Sequence, residues 1–283
     1  MRWHGGKFRI ADWIIKFFPK HHAYTEGYGG GGSVLICKEP ARSEVYNDLN
    51  RTMVSLFRIL QDRDPDGNPL PGAAAELIRL LNITPFAREE FELAYQVADC
   101  PIEAARRTLI RSFMGYGSDG TCGIYKTGFR ATVTSTWKLP ATEWATYPAA
   151  LQLLVPRMRK VVIENTNAIE LIKRMDAPHT LHYVDPPYLP STRSAGSRRR
   201  GAGFHVYEHE LTYEEHVELL EELDRLEGMV VLSGYPSELY DSRLADWRRV
   251  QRKAYADGGR ARTEVLYINQ AAVAALEHGP LFA

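Results

Sequence analysis

The stretch Ala23-Tyr-Thr-Glu-Gly-Tyr-Gly-Gly-Gly-Gly-Ser-Val-Leu-Ile-Cys37 decides the fold of this chain. Ala23–Glu26 reads as a short strand, Gly27–Ser33 as a glycine turn, and Val34–Cys37 as the start of a helix. Glycine carries no Cβ, so such a turn lets the backbone approach a ligand closely. Ser43-Glu-Val-Tyr46 follows as a second strand with Asn47-Asp48-Leu49-Asn50 at its C-terminal end, and Met53–Leu60 has helical spacing. Strand, glycine turn, helix, strand and acid form the opening of a parallel α/β sheet. Gly27, Gly29 and Gly32 satisfy G-x-G-x-x-G, which taken alone also fits a dinucleotide-binding oxidoreductase. No lysine precedes Ser33, so a phosphate-cradling P-loop is excluded. Asp48 stands where such folds place an acid on ribose hydroxyls; a plain turn or N-cap residue is the alternative.

Working outward, Arg9–Phe18 reads as a short amphipathic helix ended by Pro19. Toward the C-terminus the alternation resumes. Lys160–Ile163 is a strand, Ala168–Met175 a helix, and Thr180–Val184 a strand. Leu211–Leu226 is a helix opened by a capping-box pattern, Thr212 with Glu215. Met229–Ser233 is a further strand, and Glu264–Ile268 closes the sheet. The middle differs: Asp64–Gly72 is turn-rich, Ala73–Leu81 and Glu89–Met114 look helical, and Gly115–Thr136 looks irregular. The expected organisation is an α/β, Rossmann-like domain, with helices on both faces of the sheet, made of residues 1–61 and 151–283. A mostly helical subdomain is inserted at 62–150.

The chain has 283 residues, 45% hydrophobic and 25% charged, enough for a sizeable core. Lys+Arg and Asp+Glu are both 35, so a uniformly basic nucleic-acid binder is excluded and any basic surface is local. Such a surface is visible between Pro101 and Lys160. Nine basic residues (Arg106, Arg107, Arg111, Lys126, Arg130, Lys138, Arg157, Arg159, Lys160) face three acids there, Glu103, Asp119 and Glu143. The segment is either a solvated helix face or a phosphate-contacting one. Cys37, Cys100 and Cys122 have no paired spacing, so neither a zinc site nor a disulfide framework is indicated. No signal peptide or membrane span is read, and a reduced cytoplasmic setting is expected.

The sharpest chemical signal is Asp185-Pro186-Pro187-Tyr188, directly after the Thr180–Val184 strand. Ligands of open α/β sheets sit at strand C-termini. Prolines donate no hydrogen bonds, so an Asp and a proline carbonyl held together offer two acceptors for one flat amino group. The tyrosine offers a face on which a base can stack. At the N-terminus, Arg2-Trp3-His4-Gly5-Gly6-Lys7 places Trp3 and Lys7 where they would flank a flat, charged cofactor.

Together, Trp3-His-Gly-Gly-Lys7, Thr25-Glu26-Gly-Tyr28-x-Gly30-x-Gly32-Ser33-Val34, Asn47-Asp48-x-Asn50 and Asp185-Pro-Pro-Tyr188 resemble, in order, the motifs of Dam-like DNA adenine-N6 methyltransferases. The likeness spans nearly the whole chain, through Val231-Leu-Ser-Gly-Tyr235 and Glu264-Val-Leu-Tyr-Ile-Asn269. It departs at Gly27, where the family usually has Pro, and at Asn167, where many relatives carry Asp. The resemblance implies S-adenosylmethionine as cofactor, held by Trp3, Lys7, Glu26, Tyr28, Gly30, Gly32, Ser33, Asp48, Asn167 and Asp185. It implies double-stranded DNA as partner, a monomer in solution, and no metal or membrane. The segment Asp62–Ala150 would recognise the target, and the adenine would flip out of the duplex. Tyr188 would then stack on it while Asp185 and the Pro186 carbonyl, fixed by Pro187, accept its amino hydrogens. Arg111, Lys126, Arg130 and Lys138, with Arg193, Arg198, Arg199 and Arg200 beyond the tetrapeptide, are the expected DNA contacts. Methylation of cytosine N4 or of RNA uses the same amine chemistry and is the nearest rival.

Overall fold

The computed structural model describes residues 5–117, 126–131, 139–192, 209–255 and 261–279. One seven-stranded sheet is formed by β1 (Ala23–Glu26), β2 (Ser43–Asn47), β3 (Val162–Glu164), β4 (Thr180–Val184), β5 (Met229–Gly234), β6 (Arg248–Tyr255) and β7 (Ala261–Ile268). Among the described residues the helices are α1 (Ala11–Ile15), α2 (Ser33–Cys37), α3 (Arg51–Leu60), α4 (Ala73–Ile83), α5 (Arg88–Leu93), α6 (Pro101–Met114), α7 (Pro140–Met158), α8 (Ala168–Arg174), α9 (Tyr213–Asp224), α10 (Glu238–Arg243) and α11 (Gln270–His278). The chain divides into two compact units. Asn50–Ile163, with Gly5 and Gly6, holds α3 to α7; Lys7–Leu49 with Glu164–Ala283 holds the body of the sheet and the other helices.

The strand order is β3-β2-β1-β4-β5-β7-β6. β1 runs parallel to β2 and to β4, β4 parallel to β5, and β7 antiparallel to β5 and β6. The chain leaving β1 crosses to β2, whereas the chain leaving β4 crosses to β5, so the winding reverses between β1 and β4. A sheet that reverses in this way opens a crevice at the C-terminal ends of the strands on either side. Here those ends are Glu26-Gly27 and Val184-Asp185.

Strand side chains alternate between faces, and the core follows that rule. Val184, Val230 and Leu232 pack with Ile172, Leu219, Leu220, Leu223 and Tyr240 from α8, α9 and α10. The neighbour Tyr183 points to the other face, where its ring lies 5.7 Å from that of Phe18, just beyond α1. A fully buried Thr25–His182 pair (Oγ1 to Nδ1 2.7 Å) joins β1 to β4 across that register. The capping box expected at Thr212 is present: Thr212 Oγ1 accepts from the Glu215 amide at 3.1 Å, and Glu215 Oε2 accepts from the Thr212 amide at 2.7 Å. Thr212→Ala is expected to cost about 1 kcal/mol, a drop of roughly 2 °C in a calorimetric melt.

In the helical unit the single helix expected over Glu89–Met114 is two. Pro101 occupies the first turn of α6 and holds Cys100 extended (φ −149°), which ends any helix arriving from α5. α7 carries Pro148 and Pro156 inside it, which conceal it in the sequence. Much of the local basic excess is internal. Arg106 reaches Glu90 at 2.7 Å and Glu103 at 2.6 Å, and Arg107 reaches Glu103 at 2.6 Å. Both guanidiniums are buried, so the ion pairs offset their desolvation. In the sheet unit, the strand beginning at Glu264 does not close the sheet. β7 lies inside it, and the edge is β6, whose Arg-Arg-Val-Gln-Arg-Lys-Ala-Tyr composition suits an edge. Among the described residues no helix is long and apolar enough to cross a membrane.

Candidate active site

Four loops of the sheet unit meet at the strand C-termini: those after β1, β2, β4 and β5. After β1, the turn is tightly folded. Gly30 (φ 49°) and Gly32 (φ 62°) are left-handed, a conformation that side chains rarely adopt. At Gly29 any Cβ would lie 2.1 Å from the Tyr46 ring. The turn is pinned from β2: Asp48 Oδ2 accepts from the Gly30 amide at 2.7 Å, and the Tyr46 hydroxyl donates to the Gly30 carbonyl at 2.7 Å. Asn47 bridges the same turn to the segment after β3, donating to the Gly27 and Thr166 carbonyls at 2.9 and 3.0 Å.

Glu26, the last residue of β1, is 2% exposed. Its Oε2 accepts from the Tyr24 hydroxyl and from the Leu35 amide, both at 2.9 Å. Burial raises its carboxyl to about 8 against those hydrogen bonds, with the nearby Asp185 charge adding to the rise. The folded protein therefore binds a proton here that the unfolded chain releases between about pH 4.5 and 8. Stability from this group is greatest at the acid end and falls as pH rises through that interval. Glu26→Gln, which cannot ionise, is expected to lose that slope. The parent should fall relative to the variant by on the order of 3 kcal/mol between pH 5 and 8, measured by denaturant titration at both pH values.

After β4, the Lys7 ammonium lies 2.7 Å from Asp185 Oδ2. The other oxygen, Oδ1, is buried and has no hydrogen-bond partner among the described residues. Tyr188 is anchored at its hydroxyl, which donates to Glu264 Oε2 at 3.0 Å and lies 3.1 Å from Ser233 Oγ. Its ring has Lys7 Nζ at 4.8 Å and meets Tyr235 edge-on at 4.4 Å. Only 7% of the residue is exposed, so a base stacking on this ring needs a neighbour to move aside. A buried carboxylate oxygen without a donor is costly. At a strand C-terminus, it is an acceptor suited to an incoming N–H.

A family model described as D12 class N6 adenine-specific DNA methyltransferase matches residues 3–253. The chain belongs to this family. It is 24% identical over 282 residues to a DNA adenine methylase of Salmonella typhi, covering 97% of this chain and 96% of that one. It is 23% identical over 270 residues to a DNA adenine methylase of Escherichia coli (strain K12), covering 92% and 90%. A D12 methyltransferase methylates adenine in DNA, which decides between the amino-methyltransferase and oxidoreductase readings of the glycine turn.

In this D12 methyltransferase the other expected site residues fall as follows. Tyr28 packs against the core cluster that holds α9 and α10. Ser33 is the first residue of α2. The Asn167 side-chain oxygen caps α8, accepting from Ile169 and Glu170 amides at 2.8 and 3.2 Å. Arg111 is half-buried and donates to the Ala94 carbonyl at 2.5 Å, while Arg130 donates to the Phe113 carbonyl at 2.9 Å. Lys126 is exposed and paired with Glu92. Trp3, Lys138, Arg193, Arg198, Arg199 and Arg200 lie outside the described residues. Three residues that sequence reasoning did not assign to the site join it: Ser233, Tyr235 and Glu264. All three lie in the segments that extend the family likeness, Val231–Tyr235 and Glu264–Asn269, which meet at the C-terminal end of β5 and in the strand antiparallel to it.

Proposed function

We propose that this D12 methyltransferase uses S-adenosylmethionine to methylate the N6 amino group of an adenine flipped out of double-stranded DNA, in the crevice between β1 and β4. The carrying observation is the buried Asp185 Oδ1 that lacks a donor while Oδ2 is held by Lys7. A flipped adenine brings the missing N–H. Asp185 accepts one amino hydrogen and the Pro186 carbonyl the other, which draws the nitrogen lone pair out of conjugation and aims it along one line. The prolines cannot donate, so the grip is made of acceptors alone and selects an amine. Orientation within a site closed to water supplies most of the acceleration. Asp185 or water takes the surplus proton after transfer.

The residues of the turn fit S-adenosylmethionine. From Gly29 to Gly32 the turn presents backbone without side chains, Gly29 packing so closely on the Tyr46 ring that it has no room for a Cβ, and Glu26 Oε1 makes no hydrogen bond among the described residues. A carboxyl raised by burial is an acceptor that a cationic ligand would ionise and bind. When bound, the cofactor supplies an electrophilic methyl group. Glu26, the backbone of Tyr28–Gly32 and Ser33 would hold it, with Asp48 fixing the turn and Trp3, Lys7 and Asn167 at its margins. Target recognition by the insert 62–150 and phosphate contact by Arg193 and Arg198–Arg200 complete the reading. S-adenosylhomocysteine is expected to raise the melting temperature by several degrees at saturation, and NAD to leave it unchanged. Equal shifts by both, or none by the former, would refute the cofactor assignment.

A further inference from the structure

We propose that Glu264 is a positioning residue for methyl transfer, holding the Tyr188 ring at its working angle through the phenol hydroxyl. This rests on the reading of Asp185-Pro-Pro-Tyr188 given above. A tyrosine that served only as a stacking face would need nothing at its hydroxyl. Here the hydroxyl is held twice, by Glu264 Oε2 at 3.0 Å and Ser233 Oγ at 3.1 Å. A phenol has one hydrogen. Given to Glu264, it leaves the oxygen to accept from Ser233, so both hydrogen-bonding roles are filled.

The two holders come from different strands. Ser233 lies on β5 and Glu264 on β7, whose antiparallel register sets Gly234 opposite Val265 and so brings Glu264 to the C-terminal end of β5. Two fixed points on the sheet prevent the ring from tilting or swinging about its Cβ. Glu264 is itself buried, at 8% exposure. Burial raises its carboxyl, the Lys7 charge opposes that rise, and Asp185 adds to it. A carboxyl kept in so dry a place at a cost in solvation points to a task at the ring. The Lys7 ammonium lies 4.8 Å from the ring centre and 2.7 Å from Asp185. Ring, ammonium and base-binding carboxylate thus form one assembly with Glu264 at its back.

The test is a double-mutant cycle read by single-turnover methylation and by S-adenosylhomocysteine affinity. Glu264→Ala is expected to slow methyl transfer about 10–100-fold while cofactor affinity moves less than about twofold. Glu264→Gln, which still accepts from the phenol, should recover to within about threefold of the parent. In a Tyr188→Phe background Glu264→Ala should add less than about a further twofold, because the bond it breaks is already absent. Ser233→Ala is the second probe, should Glu264→Ala fold poorly: a loss of a few-fold in the parent, and nearly none beside Tyr188→Phe. Equal losses in both backgrounds, no recovery with Gln, or a loss confined to cofactor affinity would overturn the proposal. Asp185→Ala is assayed alongside. If it stays active the pocket itself is misassigned; if it is inactive and the cycle is additive, only the role of Glu264 fails.

Discussion

Asp185→Ala is expected to lower the single-turnover rate of adenine methylation by about 10²–10³-fold, the cost of removing one preorganised partner from a site where charge develops. The substitution deletes the buried oxygen that has no donor, and with it one of the two acceptors proposed for the amine. The proline carbonyl remains, so binding of DNA and of S-adenosylhomocysteine should change far less than the rate. The variant also deprives Lys7 of its 2.7 Å partner, and a buried ammonium left short of charge is destabilising. The melt is therefore recorded with the rate. A protein still folded at the assay temperature that has lost its rate is the expected outcome; one that keeps its rate is not compatible with an amine grip.

The second large effect falls on the glycine turn proposed to hold the cofactor. Gly29→Ala would set a Cβ 2.1 Å from the Tyr46 ring. That ring has little room to retreat, for Tyr46 is wholly buried and its hydroxyl donates to the Gly30 carbonyl at 2.7 Å. The turn must move instead, and its hydrogen bonds to Asp48 and Tyr46 go with it. The expected cost is about 3 kcal/mol or more in stability, with the stabilisation by S-adenosylhomocysteine lost. Thermal melts with and without that ligand check both. Shortening the obstacle in Gly29→Ala/Tyr46→Leu should recover part of the stability, though not the hydrogen bond to Gly30. The same substitution at the neighbouring Gly30 or Gly32 acts differently, through a left-handed φ that alanine adopts only at a cost.

Glycine turns and strand-end acids are local signals, and they were legible. β1 and β4 begin and end where apolar, β-rich runs meet Gly27 and Asp185. The fold class follows from their alternation with helical stretches. What escaped was set by tertiary structure. β6 carries five polar or charged residues in Arg-Arg-Val-Gln-Arg-Lys-Ala-Tyr because an edge strand is paired on one side only. Arg106 and Arg107 look like a phosphate-binding pair until their acidic partners, Glu90 and Glu103, are seen beside them. The break between α5 and α6 had a local mark in Pro101, which fixes the residue before it. Glu264 opens a segment that carries the family likeness, but its contact with Tyr188 was hidden for a different reason. It reaches Tyr188 across an antiparallel register and 76 residues of chain, a separation that no pattern within one segment reports.

The most direct test of the whole account is mass analysis of nucleosides from duplex DNA incubated with the purified protein and S-adenosylmethionine. N6-methyladenine formed by the parent, with none above background from Asp185→Ala, is the predicted result. N4-methylcytosine in its place, or N6-methyladenine undiminished in the variant, would contradict it.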